Sequence, residues 1–333
     1  LEGFASAAAR EAEARTGRKR FVLGSVGPGA RLPSLGQIAY GTLFRAYAEQ
    51  MAGLAEGGAD ALWIETCQDL LQIKAALAAA GEVRRAFPEM AVGVSVTVEA
   101  AGTLLCGASP EAVAAVIGPF RPDVLAVNCA TGPEAMAPRL EALRRAWGGR
   151  IGCMPNAGLP VLKDGKTHYP LGPAAFARET AALVRRLGLS VAGGCCGTTP
   201  AHIRALREEL ARGGLPPPAA RVGPPPPAAV SSLFCPVALC QVPRPFFIGE
   251  RANATGSKKF REALLADDFD RAEELLLAQE NGVSHALDLS VAYAGRDEAG
   301  DMALLVPRAA RDCRLPLVLD ATDPAVMERA LEL

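Results

Sequence analysis

The chain has 333 residues, half of them hydrophobic, which is enough for two domains and a sizeable core. A formal net charge of −1 leaves no electrostatic footprint for nucleic acid or an anionic membrane surface, and no apolar run is long enough to span a bilayer. Nine cysteines, an odd number without regular spacing, do not make a secreted disulfide framework, so the expectation is free thiols, some metal-bound, in a reducing cytoplasm.

In chain order, residues 1–15 predict an alanine- and glutamate-rich helix, and the absence of an initiator methionine suggests a start inside a larger polypeptide. Residues 21–26 predict a short apolar strand closed by the turn Gly27-Pro28-Gly29. A helix over 44–57, a strand over 60–66 and a helix over 70–86 follow from the apolar spacing. Further strands are expected at 90–97, 124–129, 150–154 and 190–192, with helices over 176–187 and 201–210.

Strands that are nearly continuous apolar runs, alternating with helices, argue for a parallel sheet. Polar residues recur at the strands' carboxyl ends: Ser25, Glu65, Thr97, Cys129, Asn156, Cys195 and Cys196. An open doubly wound sheet binds ligand at one crevice, whereas a barrel gathers all its strand ends on one face. The expected fold class is therefore α/β, a (β/α)8 TIM-type barrel truncated at its N-terminal side, followed by the beginning of a second (β/α) barrel.

The stretch that organises the chain is Gly193-Gly194-Cys195-Cys196-Gly197-Thr198-Thr199-Pro200, an apolar strand ending in paired cysteines and closed by a helix start. Adjacent cysteines also occur as inert buried small residues. Cys129, however, ends another apolar strand, and three thiolates at neighbouring strand ends leave a tetrahedral zinc ion one open position. Cys67, Cys106, Cys153, Cys235, Cys240 and Cys313 read as structural or incidental, and His168 and His202 as solvated or capping residues.

Proline runs at 216–218 and 224–227 predict a stiff linker, placing domains at 1–212 and 245–333 with an interdomain segment at 213–244. A second βα series then begins: a strand within 246–257 with Ser257 as N-cap, a helix over 258–282, a strand over 285–291, a helix near 301–312, a strand over 315–320 and a helix from Pro324. Three units are too few to close a barrel.

The motifs Trp63-Ile64-Glu65-Thr66, Val127-Asn128-Cys129, Pro155-Asn156-Ala157-Gly158, Gly193 to Pro200 and Ile248-Gly249-Glu250-Arg251-Ala252-Asn253 together resemble the cobalamin-dependent methionine synthase family. Residues 1–212 resemble its homocysteine-binding zinc domain, and residues from about 245 the start of its pterin-binding, methyltetrahydrofolate domain. The resemblance implies zinc ligands at Cys129, Cys195 and Cys196, a substrate-ammonium partner at Glu65, and at Asn156 an amide beside the open metal position. In the second domain it implies that Asp320 bonds the pterin, with Glu250, Asn253, Asp288 and Ser290 lining the pocket. Ser290 stands where the family usually has asparagine, so its reach is shorter. Two further strands before residue 21, whose turn would hold the homocysteine carboxylate, are also implied. So is a methyl group arriving on cobalamin carried by another domain of the same polypeptide.

Two other classes stay open: a cobalamin-independent thiol methyltransferase using a sulfonium or betaine donor, and a non-catalytic zinc module with a closed four-ligand site.

Overall fold

The computed structural model describes residues 2–213 and 228–333, and in it the expected apolar runs pair side by side. After helix α1 (Glu2–Thr16) come β1 (Leu23–Val26), α2 (Tyr40–Glu56), β2 (Ala61–Cys67), α3 (Leu70–Ala86), β3 (Ala91–Val96) and α4 (Pro110–Ile117). Then follow β4 (Val124–Asn128), α5 (Pro133–Ala146), β5 (Arg150–Met154) and a hairpin of β6 (Val161–Lys163) with β7 (Lys166–His168). Helix α6 (Pro173–Leu187), β8 (Val191–Ala192) and α7 (Pro200–Arg212) complete the first unit.

Six of these strands form one parallel sheet in the order β1-β2-β3-β4-β5-β8. The order follows the chain without a reversal, so the carboxyl ends of successive strands lie along one edge, with no switch point between two halves. Apolar β-branched and leucine side chains supply the burial: Val26, Leu62, Ile64, Val94, Leu125 and Ile151 are wholly inaccessible. One close approach shows why glycine stands in the third strand. A methyl group on Gly93 would lie 2.1 Å from the ring of the buried Trp63 on β2. Helix α3 begins where Asp69 accepts the Leu71 N–H (2.9 Å), and it ends in Arg84 and Arg85, which suit the negative end of the helix dipole.

The first strand begins at Leu23 instead of Phe21, and both residues stay exposed at the edge of the sheet. The β6–β7 hairpin carries no burial signal in the sequence, since all six of its strand residues face solvent.

Of the expected linker, the proline runs lie outside the described residues. Its later part is ordered: β9 (Ala229–Ser231) and β10 (Pro236–Ala238) form an antiparallel pair, and the Ser109 N–H donates to the Phe234 carbonyl at 3.1 Å. The second unit contains β11 (Ile248–Asn253), α8 (Lys258–Leu265), α9 (Phe269–Leu277), β12 (Ala286–Ser290), α10 (Glu298–Asp312), β13 (Leu317–Asp320) and α11 (Pro324–Leu331). Its three strands form a parallel sheet in chain order over a separate core that includes Phe260, Leu264, Leu287, Leu289 and Val306. A second barrel is not formed among the described residues. The single helix expected over 258–282 is instead two helices and a short 3-10 turn, because Asp267 takes a left-handed φ of 54° and Asp268 caps the new helix at Arg271 N–H (3.0 Å). No helix among the described residues is long and apolar enough to cross a membrane.

Candidate metal centre and second-unit site

Strand β4 stops at Asn128 because Cys129 and Ala130 turn into the left-handed region, with φ of 62° and 56°. Cys129 N–H donates to the Met154 carbonyl at 3.0 Å, which ties this turn to the end of β5. The other two cysteines sit in the turn after β8. Cys195 N–H donates to Pro155 O (2.9 Å), and Ala157 N–H donates to Cys196 O (2.9 Å). The flanking glycines are required by space: a methyl on Gly194 would meet Thr198 Cγ2 at 2.4 Å, and one on Gly197, where φ is +78°, would meet Tyr169 Cγ at 2.2 Å.

These turns gather three sulfurs. Cys129 Sγ lies 3.7 Å from Cys196 Sγ, Cys195 Sγ lies 3.9 Å from Cys196 Sγ, and all three fall within 4.8 Å of one another. Zinc–sulfur bonds of about 2.3 Å in a tetrahedron put sulfurs about 3.8 Å apart, so the donor set fits zinc in both chemistry and spacing. Among the described residues no fourth His, Cys, Asp or Glu joins the group. Without a metal the thiols share protons unevenly. The Cys195 thiol, donating to Cys129, is the main cause that holds Cys129 down to about 5; burial opposes it, and the Ala130 backbone, Cys196 and Asn156 assist. Cys195 is pushed up in turn by giving that bond, by burial and by its charged neighbours.

Asn156 is buried, and its Oδ1 accepts the Cys196 N–H at 3.1 Å. The amide thus stands beside the sulfurs with its oxygen already engaged by the turn. Glu65 is half-buried at the end of β2, and its Oε1 accepts a hydrogen bond from Ser25 Oγ. The pairing of β2 with β3 is irregular between Ile64 and Cys67, and inside that irregularity Thr66 takes a φ of 64°.

Two residues given no role by the sequence reading belong to the site. Asn128 is buried; its Oδ1 accepts from Thr66 N–H (3.1 Å) and Ser95 Oγ (2.9 Å), and its Nδ2 donates to Thr66 Oγ1 (2.8 Å) and Cys195 Sγ (3.9 Å). The signal available was its position next to Cys129 at a strand end. Tyr169, just after the hairpin, lies over Gly197, and its phenol is raised by partial desolvation and by the neighbouring Cys196. Nothing in the spacing of Tyr169 marks it. His202 is a buried capping residue: its Nδ1 pairs with Thr199 Oγ1 (2.9 Å) and its Nε2 with Leu171 O (2.9 Å). His168 is exposed on β7. Cys67, Cys153 and Cys313 are buried thiols pushed up to about 12 by desolvation.

In the second unit, strand register aligns Asn253 with Ser290 and Ser290 with Asp320 at the carboxyl ends of β11, β12 and β13. Asn253 Nδ2 donates to Asp288 Oδ2 at 3.0 Å, while its oxygen is occupied by the Thr255 and Gly256 backbone and the Thr255 hydroxyl. Burial raises the Asp288 carboxyl; the Asn253 bond lowers it, and the charges of Asp320 and Glu250 raise it again. Glu250 and Asp320 are exposed, so the sheet edge offers one buried carboxyl, one amide and two solvent-facing carboxylates.

The family described as Homocysteine S-methyltransferase matches residues 3–210. The methionine synthase of Mycobacterium tuberculosis is 43% identical over 316 residues, 95% of this chain and 26% of that protein. The methionine synthase of Mycobacterium leprae is 43% identical over 318 residues, 94% of this chain and 26% of that protein. The chain therefore spans about a quarter of the length of these relatives. Among solved structures, the apo homocysteine methyltransferase MmuM of Escherichia coli aligns with a TM-score of 0.48 and 24% identity over 60% of this chain and 68% of that one.

Proposed function

Because the chain belongs to the homocysteine S-methyltransferase family, we propose that its three clustered cysteines hold one zinc ion and that homocysteine is the thiol methylated there to give methionine. The observation that carries this reading is the grouping of Cys129, Cys195 and Cys196 at sulfur spacings suited to a tetrahedral ion, with no fourth His, Cys, Asp or Glu joining them among the described residues. Bound there, zinc supplies Lewis acidity that brings the substrate thiol from a pKa of roughly 8.5 into the range where it is ionised at neutral pH, so no general base is needed.

The chain's own residues do the rest. Glu65 holds the substrate ammonium through a charge-assisted hydrogen bond, and Ser25 keeps that carboxylate oriented. Asn156 fixes the Cys196 turn and faces Cys129, which keeps the sulfurs together when the site is loaded and emptied. The substrate sulfur then attacks an activated methyl group, forming the S–C bond as the bond from methyl to its carrier breaks.

The methyl carrier in this reading is cobalamin, borne by a domain of a longer polypeptide and recharged from methyltetrahydrofolate. Support comes from the likeness to two methionine synthases across both units. The second unit is the start of the folate barrel, with Asp320 bonding the pterin and Glu250, Asn253, Asp288 and Ser290 beside it. The first unit is the C-terminal six-strand part of a (β/α)8 barrel, residues 213–244 separate the two, and the protein works in the cytoplasm.

X-ray absorption at the zinc edge tests the reading: three sulfurs at zinc, rising to four with homocysteine, is the expected result. Four sulfurs from the outset, or no zinc, would indicate a closed structural site. Methylation by a sulfonium or betaine donor with no cobalamin present would favour the cobalamin-independent alternative.

A further inference from the structure

Three of the six non-glycine residues with left-handed backbone angles among the described residues lie at the candidate metal site: Thr66, Cys129 and Ala130. For a β-branched residue this conformation is unfavourable and persists only where neighbours hold it. Asn128 is the neighbour that holds Thr66, through the backbone N–H at 3.1 Å and the hydroxyl at 2.8 Å. The same amide reaches Ser95 on β3 and the sulfur of Cys195 after β8. At 1% exposure its two acceptor positions and two donor positions are all filled by protein groups, so the side chain has no freedom to turn.

Thr66 directly follows Glu65, and the two share the irregularity between Ile64 and Cys67. One buried amide therefore grips both the backbone that aims Glu65 and a sulfur of the metal set. We infer that Asn128 is a positioning residue for both halves of the site, setting the direction of Glu65 through Thr66 and drawing charge from Cys195 through an N–H···S bond. Less charge on that sulfur leaves a bound metal a stronger Lewis acid toward the incoming thiol. The Glu65 arm rests on the homocysteine reading; the Cys195 arm does not.

The test uses the whole chain loaded with Co2+ or Zn2+. Asn128→Asp keeps the size and the acceptors for Thr66 N–H and Ser95, and replaces both N–H donors with oxygen. The thiolate-to-cobalt charge-transfer band should move to lower energy, and zinc affinity by chelator competition should fall about 10- to 100-fold, as for lost outer-shell partners elsewhere. Homocysteine affinity by calorimetry should also fall, and Glu65→Gln should add little to that loss in the Asn128→Asp background. A folded Asn128→Asp protein with an unmoved band and unchanged zinc affinity overturns the proposal, as do fully additive losses with Glu65→Gln.

Thr66→Ala covers the case in which Asn128→Asp does not fold. It removes only the hydroxyl arm, so homocysteine should weaken while the cobalt band stays in place; the opposite pattern refutes the assignment. If wild-type protein binds no homocysteine, the proposed function fails while the cobalt band still decides the Cys195 arm.

Discussion

Replacing Gly197 by alanine should be among the most damaging single-methyl changes in the molecule, and its cost divides into two separable parts. The backbone at Gly197 has φ of +78°, and a left-handed alanine costs about 1–2 kcal/mol. The new methyl would also lie 2.2 Å from Tyr169 Cγ and 2.4 Å from its Cβ. A rotamer change swings Cγ away but leaves Cβ where it is, so the backbone after the hairpin must move. Overpacking of this kind adds about 1–3 kcal/mol. A loss near 3 kcal/mol lowers the melting temperature of a unit this size by about 6–12 °C. The assay is a double-mutant cycle by thermal unfolding of zinc-loaded protein. In a Tyr169→Gly background both of these atoms are gone and Gly197→Ala should cost only its backbone strain. Additivity within about 0.5 kcal/mol would refute the account, because it would mean the side chain does not press on Gly197.

Cys129→Ala, Cys195→Ala and Cys196→Ala should each lose zinc on dialysis, measured as metal per chain, since two thiolates hold the ion poorly. Metal-free protein should gain stability as the pH rises from about 5 toward 9. Cys129 is depressed to about 5 in the folded chain, so its contribution is present above the unfolded thiol value and is lost as pH falls through the folded one. Cys195, Cys67 and Cys153 are raised, so their contribution is intact below the unfolded value and is lost progressively as pH climbs from there toward the folded one. Melting temperature against pH should thus peak near the ordinary thiol pKa, and a Cys129→Ser variant that kept the acid limb between about 5 and 8.5 would contradict the cause assigned. Glu65→Gln should retain zinc and weaken homocysteine by calorimetry, whereas Asp320→Asn should leave both untouched; zinc loss in the second variant would sink the two-site assignment.

Much of the first unit was legible because its strands are buried on both faces and so read as nearly continuous apolar runs, as in Leu62–Ile64 and Val92–Val96, where Ser95 alone interrupts. Helix α3 was readable to the residue because Asp69 and the Arg84-Arg85 pair mark its two ends. The hairpin at 161–168 was not, because its strand residues are all exposed and Val-Leu-Lys and Lys-Thr-His form neither an alternating pattern nor an apolar run. The helix break at 267–268 was missed because a run of good helix formers on both sides outweighs two aspartates in any window average, although one of those aspartates is the cap. The three cysteines were findable from composition and strand ends alone. Asn128 was not, since its role depends on groups 33, 62 and 67 residues away that only the sheet brings to it.

That contrast has a physical origin. Metal ligands are recognised by what they are, and few residue types can serve, so a sequence displays them openly. The groups that set their angles are recognised only by where they are. Here the left-handed angles at Thr66, Cys129 and Ala130 are local costs that no single segment would accept alone. They are met by bonds between different strands: Asn128 to Thr66 and Cys195, Cys129 N–H to Met154, and Asn156 to the Cys196 turn. A site assembled this way should lose its sulfur spacing before it loses its sheet, because the sheet's own ladders and core do not depend on those turns. Mild denaturant should therefore release zinc at a lower concentration than it removes the far-ultraviolet dichroism of the strands. Coincident transitions would mean that the thiolate cluster is no weaker than the core beneath it.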